Sequence, residues 1–394
     1  MTMGLSLEKI KKYVIGCLHA LEPNYRHFIF YSIGVIMLIS LVMGVSLRQG
    51  PDFSINVAYR EAANVFTVMD QVSGWKEGFC KSTYKNYWKK KYPLSKEDQS
   101  YFGRYKNLRG KYFVNSESEI TDATKATSGL FEAKEALTED PLAKAFYSSE
   151  TMEEAFDKLS ALLTPEEIKF LQQFYQHFEK KYVPIVEESK KFISIAKKLS
   201  DTMKDQTLIS YLKKVARFYQ SEIGEKYTVL YVWLPLGKEN YAFPSGDFLI
   251  IQCHSDTPVE KIPGPDIIVH EIIHTISARQ SLEQKQMLTK IFLEKFKGAA
   301  KIEKLKILEE PLAVVWGQAL YLKKFNRSIY KQKSYKMNWY NHSWVNVYAQ
   351  LLIPLIEDAY NTGVVLNAEL VNTMADMAQT LYLVNVTNNQ QRRS

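Results

Sequence analysis

The chain has 394 residues, 46% hydrophobic and 24% charged, with a net charge of +8. That length and apolar content support a sizeable folded core, and the chain shows no internal repeat and no long low-complexity segment. None of the three cysteines sits at metal-ligand spacing, so a thiolate metal cluster is excluded and any metal site must use nitrogen and oxygen ligands.

The first element in chain order is Phe28 to Leu47, twenty residues without a charge, matching the hydrocarbon thickness as a helix. Lys9, Lys11, Lys12 and Arg26 precede it, and only Arg48 and Arg60 follow closely. Positive charge stays inside, so residues 1–27 are expected in the cytoplasm and everything after Leu47 outside it. The long leading segment and the lack of an A-x-A site favour an uncleaved single-pass anchor over a signal peptide. Cys17 then faces the cytoplasm, which leaves Cys80 and Cys253 as the one pair able to form an external disulfide.

Residues 48–225 read as a helix-rich extracytoplasmic region. Val57 to Lys91 is expected to be mainly helical, and the polar stretch Asn115 to Ser128 a loop. Lys76 to Lys111 holds eleven basic and three acidic residues, interleaved with aromatics such as Trp75, Tyr84, Trp88 and Tyr105. Such a segment can meet an anionic surface. It can equally bury its rings while its lysines stay solvated, and the second reading is preferred because no nucleic-acid motif accompanies it. No nucleic-acid partner is expected. Thr164-Pro165-Glu166-Glu167 is a helix start, with a threonine cap, proline in the first turn and glutamate three residues after the cap. Helical periodicity continues to Gly224, with breaks expected near Pro184 and Asp201.

The pattern changes at Lys226. Tyr227 to Leu236 and Phe248 to Cys253 are rich in β-branched and aromatic residues and read as strands of one small mixed sheet. Pro263-Gly264-Pro265-Asp266 then opens a helix, and helices are expected over Pro311 to Phe325, Trp344 to Tyr360 and Ala368 to Leu383. Residues 226–394 are expected to form the catalytic domain of a mainly α, α+β protein.

That opening helix carries His270-Glu271-Ile272-Ile273-His274. Two histidines four apart project from one helical face, so both imidazoles can bind one metal ion, and the glutamate beside the first can act on a water activated there. Ser277 and Gln280 stand where a third-histidine motif needs glycine and histidine. The apolar run around the motif, between Asp266 and Arg279, is too short for an intramembrane protease. Glu309-Glu310-Pro311-Leu312-Ala313 offers a carboxylate instead. With these residues the chain resembles the gluzincin metallopeptidases over roughly Tyr227 to Phe325. The resemblance implies Zn2+ held by His270, His274 and Glu310, with Glu309 fitting that register less well than Glu310. It implies Glu271 as general base in peptide-bond hydrolysis. It also implies an edge strand, at Tyr241 to Phe248, that pairs with an extended peptide or protein substrate. A downstream tyrosine or histidine is expected to stabilise the oxyanion, and Tyr340, His342 and Tyr348 are the candidates. His254 lies outside the motif and is expected to be structural. Two other readings stay open on the sequence: a membrane-tethered binding or scaffolding protein without turnover, and an anionic-surface-binding module with a structural zinc.

Overall fold

A strand covered on both faces needs an apolar run without alternation. β2 (Lys226–Leu234) supplies one, with eight of its nine residues buried. In the computed structural model, which describes residues 53–77, 79–113, 140–236, 240–298 and 307–391, this strand lies inside a four-stranded sheet. Its order is β1 (Ser54–Ala58), β2, β4 (Phe248–His254), β3 (Tyr241–Ser245). β2 runs parallel to both neighbours, and β3 adds an antiparallel edge on β4. Pro244 is accommodated in β3 because an edge strand need not donate on both sides.

Side-chain alternation divides the sheet between two cores. Leu230, Val232 and Ile250 face one layer of helices, and Tyr227, Val229, Leu249 and Ile251 face the other. The first layer comprises α1 (Glu61–Ser73), α2 (Ser82–Lys91), α3 (Lys96–Tyr112), α4 (Pro141–Tyr147), α5 (Met152–Leu159) and α6 (Pro165–Ser189). The second begins with α7 (Phe192–Met203) and α8 (Gln206–Tyr219), then α9 (Pro265–Ala278) and α10 (Leu282–Lys295). α11 (Glu309–Val314) passes through a π-helical turn, Val315–Leu320, into α12 (Tyr321–Phe325). α13 (Arg327–Lys336), α14 (Ser343–Thr362) and α15 (Ala368–Gln391) complete it. The protein is mainly helical with a small mixed sheet, the α+β class expected. The expected division at 225/226 runs through this sheet, because β1 precedes it and pairs with β2.

Val57 to Lys91 is mainly helical, as expected, in α1 and α2; its first two residues end strand β1, and Gly74 closes α1 in the left-handed region at φ 62°. One local expectation is corrected. Pro184 does not break α6. It and Lys180 lie on the exposed face, where water can satisfy the carbonyl that proline leaves free, and the helix runs on to Ser189. The start of α6 is as expected: Thr164 Oγ1 accepts from the Glu167 amide, and Glu167 Oε2 accepts from the Thr164 amide. Residues 28–47 and 115–128 lie outside the described residues. Among the described residues no helix is long and apolar enough to cross a membrane.

The basic segment 76–111 turns Tyr84, Trp88, Phe102 and Tyr105 inward and leaves Lys89, Lys90 and Lys91 exposed. Cys80 and Cys253 are free thiols. Arg109 is fully buried between Asp70 and Asp140.

Asp98, at the start of α3, joins that helix to α6. It accepts from the Ser95 amide at 2.9 Å and from Lys181 Nζ at 2.9 Å, and lies 2.8 Å from His177 Nε2. Burial alone would raise its carboxyl, but the bonds from Lys181, Ser95 and His177 pull it from 3.8 down to about 2. A folded value below the unfolded one stabilises at higher pH, and this contribution is lost as pH falls from 3.8 toward about 2. Its size is on the order of 2 kcal/mol. Asp98→Asn should therefore lower stability near neutrality and flatten the acid limb of the stability curve, measured by urea unfolding from pH 7 to 2. An unchanged slope would remove this carboxylate from the acid response.

Candidate metal centre

Gly264 is extended and Pro265 occupies the first turn of α9, where its missing N–H has no helical partner to lose. Eleven of the fourteen residues that follow this start are buried, so α9 is apolar nearly all round and runs through the second core. Burying His270, Glu271 and His274, at 3%, 8% and 7% exposure, requires partners for each polar group.

For His270 Nε2 and both His274 nitrogens, partners come from the first turn of α11, whereas His270 Nδ1 is buried without a hydrogen-bond partner among the described residues. His270 Nε2 lies 3.2 Å from Glu310 Oε1, His274 Nε2 lies 3.4 Å from Glu310 Oε2, and the two ring nitrogens are 3.1 Å apart. Two imidazole nitrogens this close, each beside a carboxylate oxygen, can share a proton or a metal cation. Donors each about 2.0–2.1 Å from one tetrahedral ion stand about 3.3 Å from one another, and the observed separations bracket that figure. His270, His274 and Glu310 could thus hold a metal ion.

Glu309 does a different job. Its Oε1 lies 2.5 Å from His274 Nδ1, on the side of the ring away from Glu310. This turns Nδ1 toward Glu309 and Nε2 toward His270 and Glu310, the arrangement that raises the basicity of a metal-binding imidazole. Burial alone would lower the His274 pKa, but Glu309 and Glu310 outweigh it and hold it well above the ordinary value. The same carboxylates favour a metal cation. The Glu310 carboxyl would be raised by burial, yet His274 and His270 draw it below the ordinary carboxylate range.

Glu271 faces the cleft beside the cluster. Burial raises its carboxyl pKa, with His270 and His274 opposing. Tyr340 stacks over His270 at 6.2 Å and its hydroxyl bonds to Glu310. His342 lines the same wall, and its Nδ1 is buried without a partner. Tyr348 lies elsewhere, because its hydroxyl donates to the Met374 carbonyl at 2.8 Å in the core. His254 ends β4, accepts from the Asp256 amide at 3.0 Å and does not line the cleft. The cleft has a volume of about 670 Å³, and the edge strand β3 forms one of its walls through Tyr241, Ala242 and Phe243.

With this geometry established, comparison gives a short answer. No protein-family model, curated protein or solved structure matches the chain.

Two contributors were not foreseen. Glu309 was read only as a poorer ligand, although an acidic doublet offers one carboxylate to the ion and one to the ring behind it. Gly317 sits in the π-helical turn against α9, where an added Cβ would lie 2.4 Å from His270 Cα and 2.6 Å from its nitrogen. A lone glycine inside a helical pattern is the sequence signal for such close approach. The Tyr211 hydroxyl donates to the Trp316 carbonyl at 2.5 Å and pins the turn beside it. Gly317→Ala is expected to push α9 from α11, costing about 1–3 kcal/mol and weakening metal binding. Thermal unfolding and metal titration on one preparation test this, and a variant equal to wild type in both would show that the backbones can part freely.

Proposed function

We propose that the protein is a zinc-dependent metallopeptidase of gluzincin type. The observation carrying this reading is the donor triangle of His270, His274 and Glu310, with Glu271 beside it in a cleft bordered by an edge strand. The residues fit the ion: two neutral imidazoles and one carboxylate leave a tetrahedral position for a ligand from solution or substrate. Zinc held there supplies Lewis acidity, polarising a carbonyl and acidifying water.

The remaining chemistry belongs to the chain. Glu271 takes a proton from the attacking water and returns it to the leaving nitrogen. His342 offers a hydrogen-bond donor that a developing oxyanion requires, and Tyr340 offers another once its hydroxyl turns from Glu310. β3 offers main-chain groups to an extended peptide, which gives affinity with little demand on sequence. The apolar run at 28–47 anchors the chain as a single-pass protein with this site outside the cytoplasm, near peptide or protein substrates at the membrane. Labelling of a reporter fused after Ser394 tests that topology, and labelling from the cytoplasm would overturn it.

Zinc titration and cleavage of a broad peptide library, each with and without chelator, test the central reading. Zinc binding without cleavage of any peptide would replace the enzyme by a tethered binding protein. The roles of the acidic doublet separate in the same titration. Glu309→Ala should weaken zinc by about 10–100-fold, and Glu310→Ala by more. The reverse order would move the ligand by one residue.

A further inference from the structure

The cleft extends beyond the proposed metal ligands. Toward the start of α9 its wall is built by Ile267, Gln318 and Lys333. Ile267 precedes His270 by three residues, so this end lies about 5 Å along the helix from the ligands, close to the span between neighbouring substrate groups. Lys333 comes from α13, a helix with no buried residue. Its ammonium reaches Asp266 Oδ2 at 3.2 Å and Gln318 Oε1 at 3.3 Å.

These partners aim the ammonium without consuming it. A lysine has three donors, and the two contacts account for two. Gln318 is 3% exposed and neutral, so it orients the charge and cancels none of it. The Lys333 and Asp266 side chains are 30% and 17% exposed, and a pair so accessible to water can exchange one carboxylate for another. Among the described residues, Lys333 is the one lysine or arginine lining the cleft, and the acidic residues lining it are Glu271, Glu309 and Glu310 of the metal cluster. α13 also carries Arg327, Lys331 and Lys336 and no acidic residue, and none of these three has an ion pair among the described residues. α13 therefore adds positive charge near this end, where Lys333 itself is paired with Asp266.

We propose that Lys333 recognises a carboxylate on the substrate, which makes peptides bearing an acidic side chain or a free C-terminus next to the scissile bond the preferred class. This rests on the peptidase reading above and adds a selectivity to it. Both sources of carboxylate present the same chemistry to the ammonium, a charge-assisted hydrogen bond.

Calorimetric titration of the full-length protein with peptides of one apolar sequence distinguishes them. One peptide carries glutamate, walked through the positions; a second has glutamine in its place. Each is made with a free and with an amidated C-terminus. Metal-free wild type and zinc-loaded Glu271→Gln protein are both titrated, so binding is read without turnover. At least one carboxylate form should bind about tenfold or more tighter than the peptide lacking both. Lys333→Met should abolish that difference, and Lys333→Glu should turn it toward a lysine peptide. α13 contributes no buried residue, so these variants should stay folded, with any shift of the unfolding midpoint limited to the loss of the Lys333 bonds to Asp266 and Gln318. Equal binding of all forms, absence of binding, or a preference that survives Lys333→Met overturns the proposal. Failure to cleave any peptide, with carboxylate-selective binding intact, overturns the peptidase reading alone.

Discussion

Glu271→Gln is expected to bind zinc as tightly as wild type while losing peptide hydrolysis by about 10²–10⁴-fold. The substitution keeps side-chain shape and removes only the capacity to accept a proton. No partner in the donor triangle depends on it, since His270 and His274 meet Glu310, and His274 meets Glu309. Burial favours the protonated form of Glu271, which gives the carboxylate a strong appetite for a proton from water. An amide there has none. Metal content by mass spectrometry and kcat on one fluorogenic peptide decide the matter. Near-wild-type turnover in a zinc-replete variant would take the general-base role away from Glu271. Loss of zinc along with activity would assign it a part in holding the ion.

What could be read from the sequence, and what could not, follows from how far each interaction reaches along the chain. His270, Glu271 and His274 are neighbours on one helix, so their common face is fixed by helical periodicity alone. Glu310 required knowledge of a family pattern, because a separation of thirty-six positions from His274 places no geometric limit on where it folds. The function of Glu309 was hidden by its own neighbour: two adjacent carboxylates point in different directions from the first turn of a helix, and sequence cannot say which points where. Lys333 was hidden further still. It lies on a helix of ordinary basic character, and only its approach to Asp266 and Gln318 brings it to the cleft.

The same distinction governs the fold. Thr164 and Glu167 cap one another over three residues, and that local signal was legible. Strand β1 was not, because five residues acquire strand geometry only from pairing with β2 some 170 positions later, where Ser54 stands opposite Lys226 and Ala58 opposite Leu230. Its short apolar run, taken alone, carries no period that separates strand from helix. Pro184 was a local signal that tertiary context overrode, since its exposed side of α6 tolerates the unpaired carbonyl.

Arg109→Ala is expected to destabilise the protein by about 3–5 kcal/mol, because it strands two buried carboxylates. The guanidinium donates from Nε to Asp70 Oδ1 at 2.6 Å, and to Asp140 through both terminal nitrogens at 2.9 and 2.5 Å. It also stacks on Trp75 at 4.3 Å. Asp70 further accepts from Tyr105 and Trp75, while Asp140 caps α4 through the Ala143 amide. Burial raises the Asp70 carboxyl, with Arg109 its main opponent, so removal of the cation leaves the Trp75 bond to oppose burial. One residue thus joins α1, α3 and α4, and its loss is comparable to a large part of a domain's whole stability. Replacing the whole ionic set should cost less: Arg109→Met with Asp70→Asn and Asp140→Asn leaves no buried charge, and asparagine can still cap α4. Urea unfolding orders the two variants. If the triple variant proves the less stable, the cluster contributes more than mutual neutralisation, and its hydrogen bonds hold the layer. The cluster lies on the opposite face of the sheet from the donor triangle. Zinc bound per folded molecule should therefore stay at the wild-type value in both variants, which separates loss of the scaffold from loss of the site.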